Sequence, residues 1–202
     1  MPPRLPLAIG IAGTVFVVDQ ITKLIAVDRH APVYVPRPVL GEALRLTLVY
    51  TPGAAFGLHF GTYSREIFTA LTLGALVLLY RLYRDTQADQ LTRVIAIALV
   101  TGGALGNLLD RLRSSRGVVD FVDVGIGTSR WPTFNVADMA ISCGAVLLAI
   151  VLWREDNRIS EQAALSTDTT TSSTSSTSST SSTSSTSSPR GTDAPADAPL
   201  QS

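Results

Sequence analysis

The 202-residue sequence predicts an all-α polytopic membrane protein with four transmembrane helices, a small β-containing extracytoplasmic region and a disordered C-terminal tail. Three observations point there. Four apolar stretches each approach the roughly 20 residues that a helix needs to cross a bilayer. Residues 1–158 are about 54% hydrophobic, against 46% for the whole chain, and only about 17% charged, below the usual soluble share. The remaining residues hold few apolar side chains, all Ile, Leu or Ala, and cannot offset the entropy of ordering them. The expected division is therefore a membrane domain at 1–158 and a tail at 159–202.

The first stretch runs from about Leu7 to Val27. Its length, the Asp19 and Lys23 inside it, and the lack of a small-x-small exit before Asp28-Arg29-His30 separate it from a cleaved signal peptide, so a retained helix is expected. Residues Asp28 to Glu66 form a long connection with Pro32, Pro36 and Pro38, followed by Leu44 to Tyr50, which largely alternates apolar and polar like a half-buried strand. The second stretch, Ile67 to Tyr83, joins the third, Leu91 to Leu109, through a short polar link. Asp110 to Phe134 is a second long connection containing the strand-like Val118 to Val122, and Val136 to Trp153 is the fourth stretch. From Ser166 the chain is nearly pure serine and threonine, with Thr-Ser-Ser repeated from Thr171 to Ser188, a composition with no core to build. Packing of the four stretches inside a soluble core is the alternative, and the low polarity of residues 1–158 weighs against it.

Four spans put both termini on one side and both long connections on the other. Arginine does not say which side is which. The termini and short link carry Arg4, Arg81, Arg84, Arg93, Arg154 and Arg158 close to helix ends, which favours them as cytoplasmic, but the long connections carry more arginines in total.

Composition excludes several chemistries. Basic and acidic residues balance at 16 each, without the basic surplus of a nucleic-acid partner. The single cysteine, Cys143, rules out an internal disulfide; lying in an apolar helix, it reads as a small buried residue. The two histidines, His30 and His59, sit in one connection and support neither a histidine metal cluster nor a Ser-His-Asp arrangement. What remains is carboxylates near a membrane surface.

Charges in apolar segments carry information because each costs about 2.5–3.5 kcal/mol at mid-helix. Asp19 and Lys23, four apart, share a helical face in the favourable acid-first order, either as a self-neutralising pair or as support for a polar site between helices. Gly102, Gly103 and Gly106 permit close helix approach. Asn107 and Arg111 share a face beyond them; Arg111 also suits the negative end of a helix dipole, with Asp110 as its partner, which leaves Asn107 unexplained. Asn135 and Asp138 have the spacing of an N-cap and its capping-box partner, and a cap would also fix where Asp138 points. Two carboxylates sharing a site cannot both ionise easily, so one keeps a proton while the other takes one from water.

Five segments occur in order: Asp19-Gln20-Ile21-Thr22-Lys23, Gly53-Ala54-Ala55-Phe56-Gly57, Gly102 to Arg111 (GGALGNLLDR), Val118-Val119-Asp120-Phe121 and Phe134-Asn135-Val136-Ala137-Asp138. Together they resemble the lipoprotein signal peptidase (signal peptidase II) family of bacterial aspartic membrane peptidases. The resemblance implies that Asp120 and Asp138 are a catalytic dyad, that Asn107, Arg111 and Asn135 line the substrate cleft, and that Asp19 and Lys23 are structural supports. It implies no metal or organic cofactor. It further implies diacylglyceryl-modified prolipoprotein signal peptides as substrates, cut N-terminal to the modified cysteine, and globomycin-type inhibitors. The location it implies is the bacterial cytoplasmic membrane, with cytoplasmic termini and a site toward the outer face. One departure stands out: Thr51-Pro52-Gly53 puts threonine where the family usually has asparagine, losing two amide donors while keeping a hydroxyl. A proton-coupled carrier relaying through Asp19, Asp120 and Asp138, and a non-catalytic scaffold associating through the third helix, are the rival readings.

Overall fold

The computed structural model describes residues 4–53, 61–87 and 89–177. Helix α1 spans Leu5–Arg29; strands β1 (Arg37–Leu40) and β2 (Leu44–Thr51) follow, then a 3-10 turn at Gly61–Tyr63 and helix α2, Ser64–Arg84. Helix α3 is Leu91–Arg113, strands β3 and β4 are Val118–Ile126 and Ser129–Arg130, and helix α4 is Val136–Thr177. Both expected strands form, and β1 and β4 add to them. Helix α4 runs past the expected start of the tail at 159, and residues 178–202 lie outside those described. The described chain up to Glu155 forms one compact unit, and a second begins at Asp156, helical as far as Thr177.

Four helical segments, Leu5–Arg29, Ser64–Arg84, Leu91–Arg113 and Val136–Asn157, are long and apolar enough to cross a membrane. Their burial settles which is central: 56% of the apolar window of α3 is enclosed, against 6%, 11% and 17% for α1, α2 and α4. The outer helices expose large apolar side chains, among them Ile9, Ile21, Leu24, Leu71, Leu78 and Val146, a surface suited to lipid. On α1 the buried residues are Asp19, Lys23 and Ala26, so the polar side chains face inward and the apolar ones outward. That inversion is what a bilayer selects.

Glycines let α3 approach its neighbours. A Cβ on Gly102 would lie 2.6 Å from the Ala12 carbonyl oxygen of α1, and one on Gly103 would run into the Ala137 carbonyl of α4. Across that second contact, a Cβ on Gly144 would come within 2.9 Å of the Ala96 carbonyl. Helix backbones this close are packed by small residues rather than by burial of apolar area.

The sheet is antiparallel in the order β1-β2-β3-β4. It lies at the C-terminal ends of α1 and α3 and the N-terminal ends of α2 and α4, opposite the short α2–α3 link. Its buried pin is Asp123, which accepts from Thr47 of β2 at 3.0 Å and from the Arg130 guanidinium of β4 at 2.6 Å. Val49 pairs with Asp120 and Thr51 with Val118, so the Thr51 and Asp120 side chains lie on one face as diagonal neighbours.

Candidate active site

The end of α3, the start of β3 and the start of α4 meet beside α1. Asn135 is the organising residue and is fully buried. As N-cap of α4 its Oδ1 accepts the Asp138 backbone N–H at 2.9 Å, and Asp138 Oδ2 accepts the Asn135 backbone N–H at 3.2 Å. This is the expected reciprocal cap. The other end of the Asn135 amide donates to Asp120 Oδ1 at 2.7 Å, to the Val119 carbonyl at 3.2 Å and to Asn107 Oδ1 at 3.2 Å. Asn107 in turn donates to Asp138 Oδ1 at 2.8 Å. Two asparagines thus join two carboxyls from different elements.

Behind them lies a buried ionic cluster. Lys23 Nζ meets Asp19 Oδ2 at 2.8 Å, Asp110 Oδ2 at 2.8 Å and Asn107 Oδ1 at 2.9 Å, one acceptor for each ammonium proton. Asp19 Oδ1 also accepts the Ala137 backbone N–H at 2.9 Å, placing a carboxylate at the positive end of α4. Asp110 Oδ2 accepts from the Val119 backbone at 3.3 Å and ties the start of β3 to α3. Gln20 donates to Asp19 and, at 3.5 Å, to Asp110.

Burial pushes the Asp120 carboxyl up to about 7; the negative charge of Asp138 acts in the same direction, while hydrogen bonds from Thr51 and Asn135 and the charge of Lys23 oppose it. Arg111 donates to the Asn107 and Gly53 carbonyls at 3.3 Å each and lies 5.9 Å from the Phe68 ring centroid. Its Nε is buried with no partner among the described residues. A groove of about 450 Å³ beside α4 is lined by Asp138, Met139 and Cys143 together with Trp131 and Phe134.

All seven residues singled out in the sequence lie in this network. Asp120, Asp138, Asn107 and Asn135 form its centre, Asp19 and Lys23 stand behind, and Arg111 borders it. Lys23 pairs with Asp19 and also donates to Asn107. The alternative that paired Asp110 with Arg111 is not the one that forms: the Asp110 ion pair is with Lys23, because the turn of α3 that carries Asp110 faces α1. One expectation needs correction. Cys143 was expected to be buried, but it is exposed, on a side of α4 turned outward; in a lipid-facing helix an apolar residue need not be inside. Asp110 and Gln20, both within the quoted motifs, were not among the candidate site residues. Nor was Thr51, the departure from the family pattern, yet its hydroxyl lies 2.5 Å from Asp120 Oδ2. Residues 54–57 of the Gly-Ala-Ala-Phe-Gly motif lie outside those described.

Residues 11–154 match the family model described as signal peptidase (SPase) II. A lipoprotein signal peptidase of Geobacter metallireducens is 37% identical over 162 residues, covering 80% of this chain and 99% of the relative. One from Burkholderia pseudomallei is 43% identical over 143 residues, covering 69% of this chain and 83% of the relative. Among solved structures, a bacterial membrane enzyme determined by the in meso method at 2.3 Å resolution superposes with a TM-score of 0.69 at 30% identity, covering 78% of this chain and 93% of its own. With four apolar helices, a small sheet and the five motifs in order, this multi-pass membrane protein belongs to the signal peptidase II family.

Proposed function

We propose that this protein is an aspartic endopeptidase that removes the signal peptide from bacterial prolipoproteins, cutting N-terminal to the diacylglyceryl-modified cysteine, with Asp120 and Asp138 as its dyad. The observation that carries the reading is the coupling of the two carboxyls through Asn135, which donates its amide to one and caps the helix that presents the other. One carboxylate takes a proton from water as it attacks the scissile carbonyl. The other, protonated, polarises that carbonyl and then protonates the leaving amine. Arg111, which borders the dyad, and the asparagines position the peptide. Asp19 and Lys23 are supports that hold Asn107.

A signal peptide is itself an apolar helix and reaches such a site laterally through the bilayer. The apolar groove beside α4, with Asp138 in its lining, is a suitable approach. The orientation proposed is the bacterial cytoplasmic membrane, with the termini and the α2–α3 link cytoplasmic and the sheet at the outer face. Globomycin-type inhibitors are expected to compete with substrate.

The experiment is cleavage of a diacylglyceryl-modified precursor by purified protein in lipid, with and without globomycin. Asp120→Asn and Asp138→Asn should each lower the rate by about 10³-fold or more, since each keeps the size and loses the carboxylate. Full processing by either variant would remove the dyad assignment. Solute uptake into liposomes that is lost in Asp19→Asn, without proteolysis, would favour a carrier instead.

A further inference from the structure

The donors and acceptors around the two carboxyls point to where the dyad keeps its proton. Both asparagine amides have one permitted orientation. Asn135 Nδ2 faces the Val119 carbonyl, which can only accept, and Asn135 Oδ1 faces the Asp138 backbone N–H, which can only donate. The amide therefore presents an N–H to Asp120 Oδ1 at 2.7 Å. Asn107 is fixed in the same way: the Lys23 ammonium has no acceptor, so it must meet Oδ1, and Nδ2 is left for Asp138 Oδ1 at 2.8 Å. Asp138 Oδ2 meets the backbone N–H of Asn135. Both oxygens of Asp138 thus receive hydrogen bonds from groups that cannot take one back, which is the setting of an ionised carboxylate. Asp120 Oδ1 is placed alike. Asp120 Oδ2 differs, because its partner is the Thr51 hydroxyl: giving its proton, the hydroxyl favours the ionised carboxylate and holds the pKa down, but turned to accept, it can hold a carboxyl proton on Oδ2.

We infer that the resting dyad holds its single proton on Asp120 Oδ2, hydrogen-bonded to Thr51 Oγ1, so that Asp120 is the general acid, Asp138 the general base and Thr51 the residue that positions the proton. This rests on the reading of Asp120 and Asp138 as a peptidase dyad. Thr51 is held for the task by its pairing with Val118 and by Gly117, whose backbone, at φ +100°, leaves no room for a Cβ against the Thr51 carbonyl. The charged groups facing Asp120 are Asp138 from α4, Lys23 from α1 and Arg111 from α3. Lys23 is already shared between Asp19 and Asp110, which blunts its pull toward ionising Asp120.

The cycle balances. Water oxygen bonds to the scissile carbon while Asp138 takes one water proton, and Asp120 hydrogen-bonds the carbonyl oxygen. The C–N bond then breaks as the Asp120 proton passes to the leaving nitrogen, giving a free amine and a carboxylic acid. Asp138 is left protonated and Asp120 ionised, and proton exchange with water at the cleft restores the starting state.

The direct test is infrared difference spectroscopy of the full chain in lipid, about two pH units below the value of about 7 to which burial pushes Asp120, so that Asp120 stays protonated when the charge of Asp138 is removed. Wild type minus Asp120→Asn should show a protonated-carboxyl C=O band, and wild type minus Asp138→Asn should show none. The reverse pattern, or no band in either, overturns the assignment. Turnover gives a second measurement. Thr51→Val should lower kcat about 10-fold, leave KM within about twofold and move the alkaline limb of the kcat profile down by about one unit, while Thr51→Ser restores both. A limb that moves up or stays put in Thr51→Val would mean that Thr51 serves only the ionised carboxylate, and the inference fails. If wild type cleaves no lipid-modified precursor, the functional reading fails; the infrared result needs no turnover and is judged separately.

Discussion

Lys23 shows how one side chain can set the chemistry of another. With three protons on three acceptors it forces the carbonyl end of Asn107 toward itself and the amino end toward Asp138. Lys23→Met keeps the stem but leaves Asp19 and Asp110 buried without their counter-ion. Breaking a buried ion pair by removing one partner costs about 3–5 kcal/mol, so this variant should show a large fall in Tm in detergent, with Asn107 free to turn and cleavage reduced further than the stability loss explains. Asp120 gives a second signal. Its carboxyl rises from 3.8 to about 7 on folding, so the folded state holds its proton more tightly, and the stability this contributes is complete below about pH 4 and lost as pH rises through about 7. Asp120→Asn cannot titrate, and thermal melts across that window should show a shallower decline than wild type; an equal decline would place the titrating group elsewhere.

At the scale of elements, α3 is built to be touched on two sides. Gly102 and Gly106 face α1, and Gly103 faces α4. A Cβ on Gly106 would lie 2.5 Å from Asp19 Oδ2, so Gly106→Ala should both spread α1 from α3 and disturb the Lys23 cluster. Overpacking of this kind costs about 1–3 kcal/mol. Gly74 on α2, with nothing within 4 Å of a Cβ, is the control, and Gly74→Ala should melt and cleave like wild type. The small-residue pattern and the Asn135–Asp138 cap were legible in the sequence because both are local spacings. The partner of Asp110 was not, since α3 offers Arg111 next in the chain while Lys23 lies 87 positions back, and only helix packing decides between them. Likewise the strand-like run ending at Tyr50 could be read, but the link from Thr51 to Asp120 depends on the β2–β3 register, which alternation along one strand does not specify. Cys143 was misjudged because inside and outside are both apolar in a membrane helix.

For the molecule as a whole, the sequence supplied four spans but not their direction, since arginines near helix ends and arginines in total pull opposite ways. The fold links that question to the chemistry: every residue of the candidate site lies at the sheet end of the spans, so the orientation of the sheet decides which side of the membrane holds the proposed reaction. Cys143 is the one cysteine in the chain, and Cys143→Ser gives a cysteine-free background. On that background Thr128→Cys, in the turn between β3 and β4, and Asp85→Cys, after α2, report on opposite ends, and both positions are exposed. A membrane-impermeant maleimide added to intact spheroplasts should label Thr128→Cys at once and Asp85→Cys only after lysis. Labelling in the opposite order would put the dyad on the cytoplasmic side, where a precursor whose modified cysteine has already crossed the bilayer could not meet it, and the proposed substrate would have to be given up with the orientation.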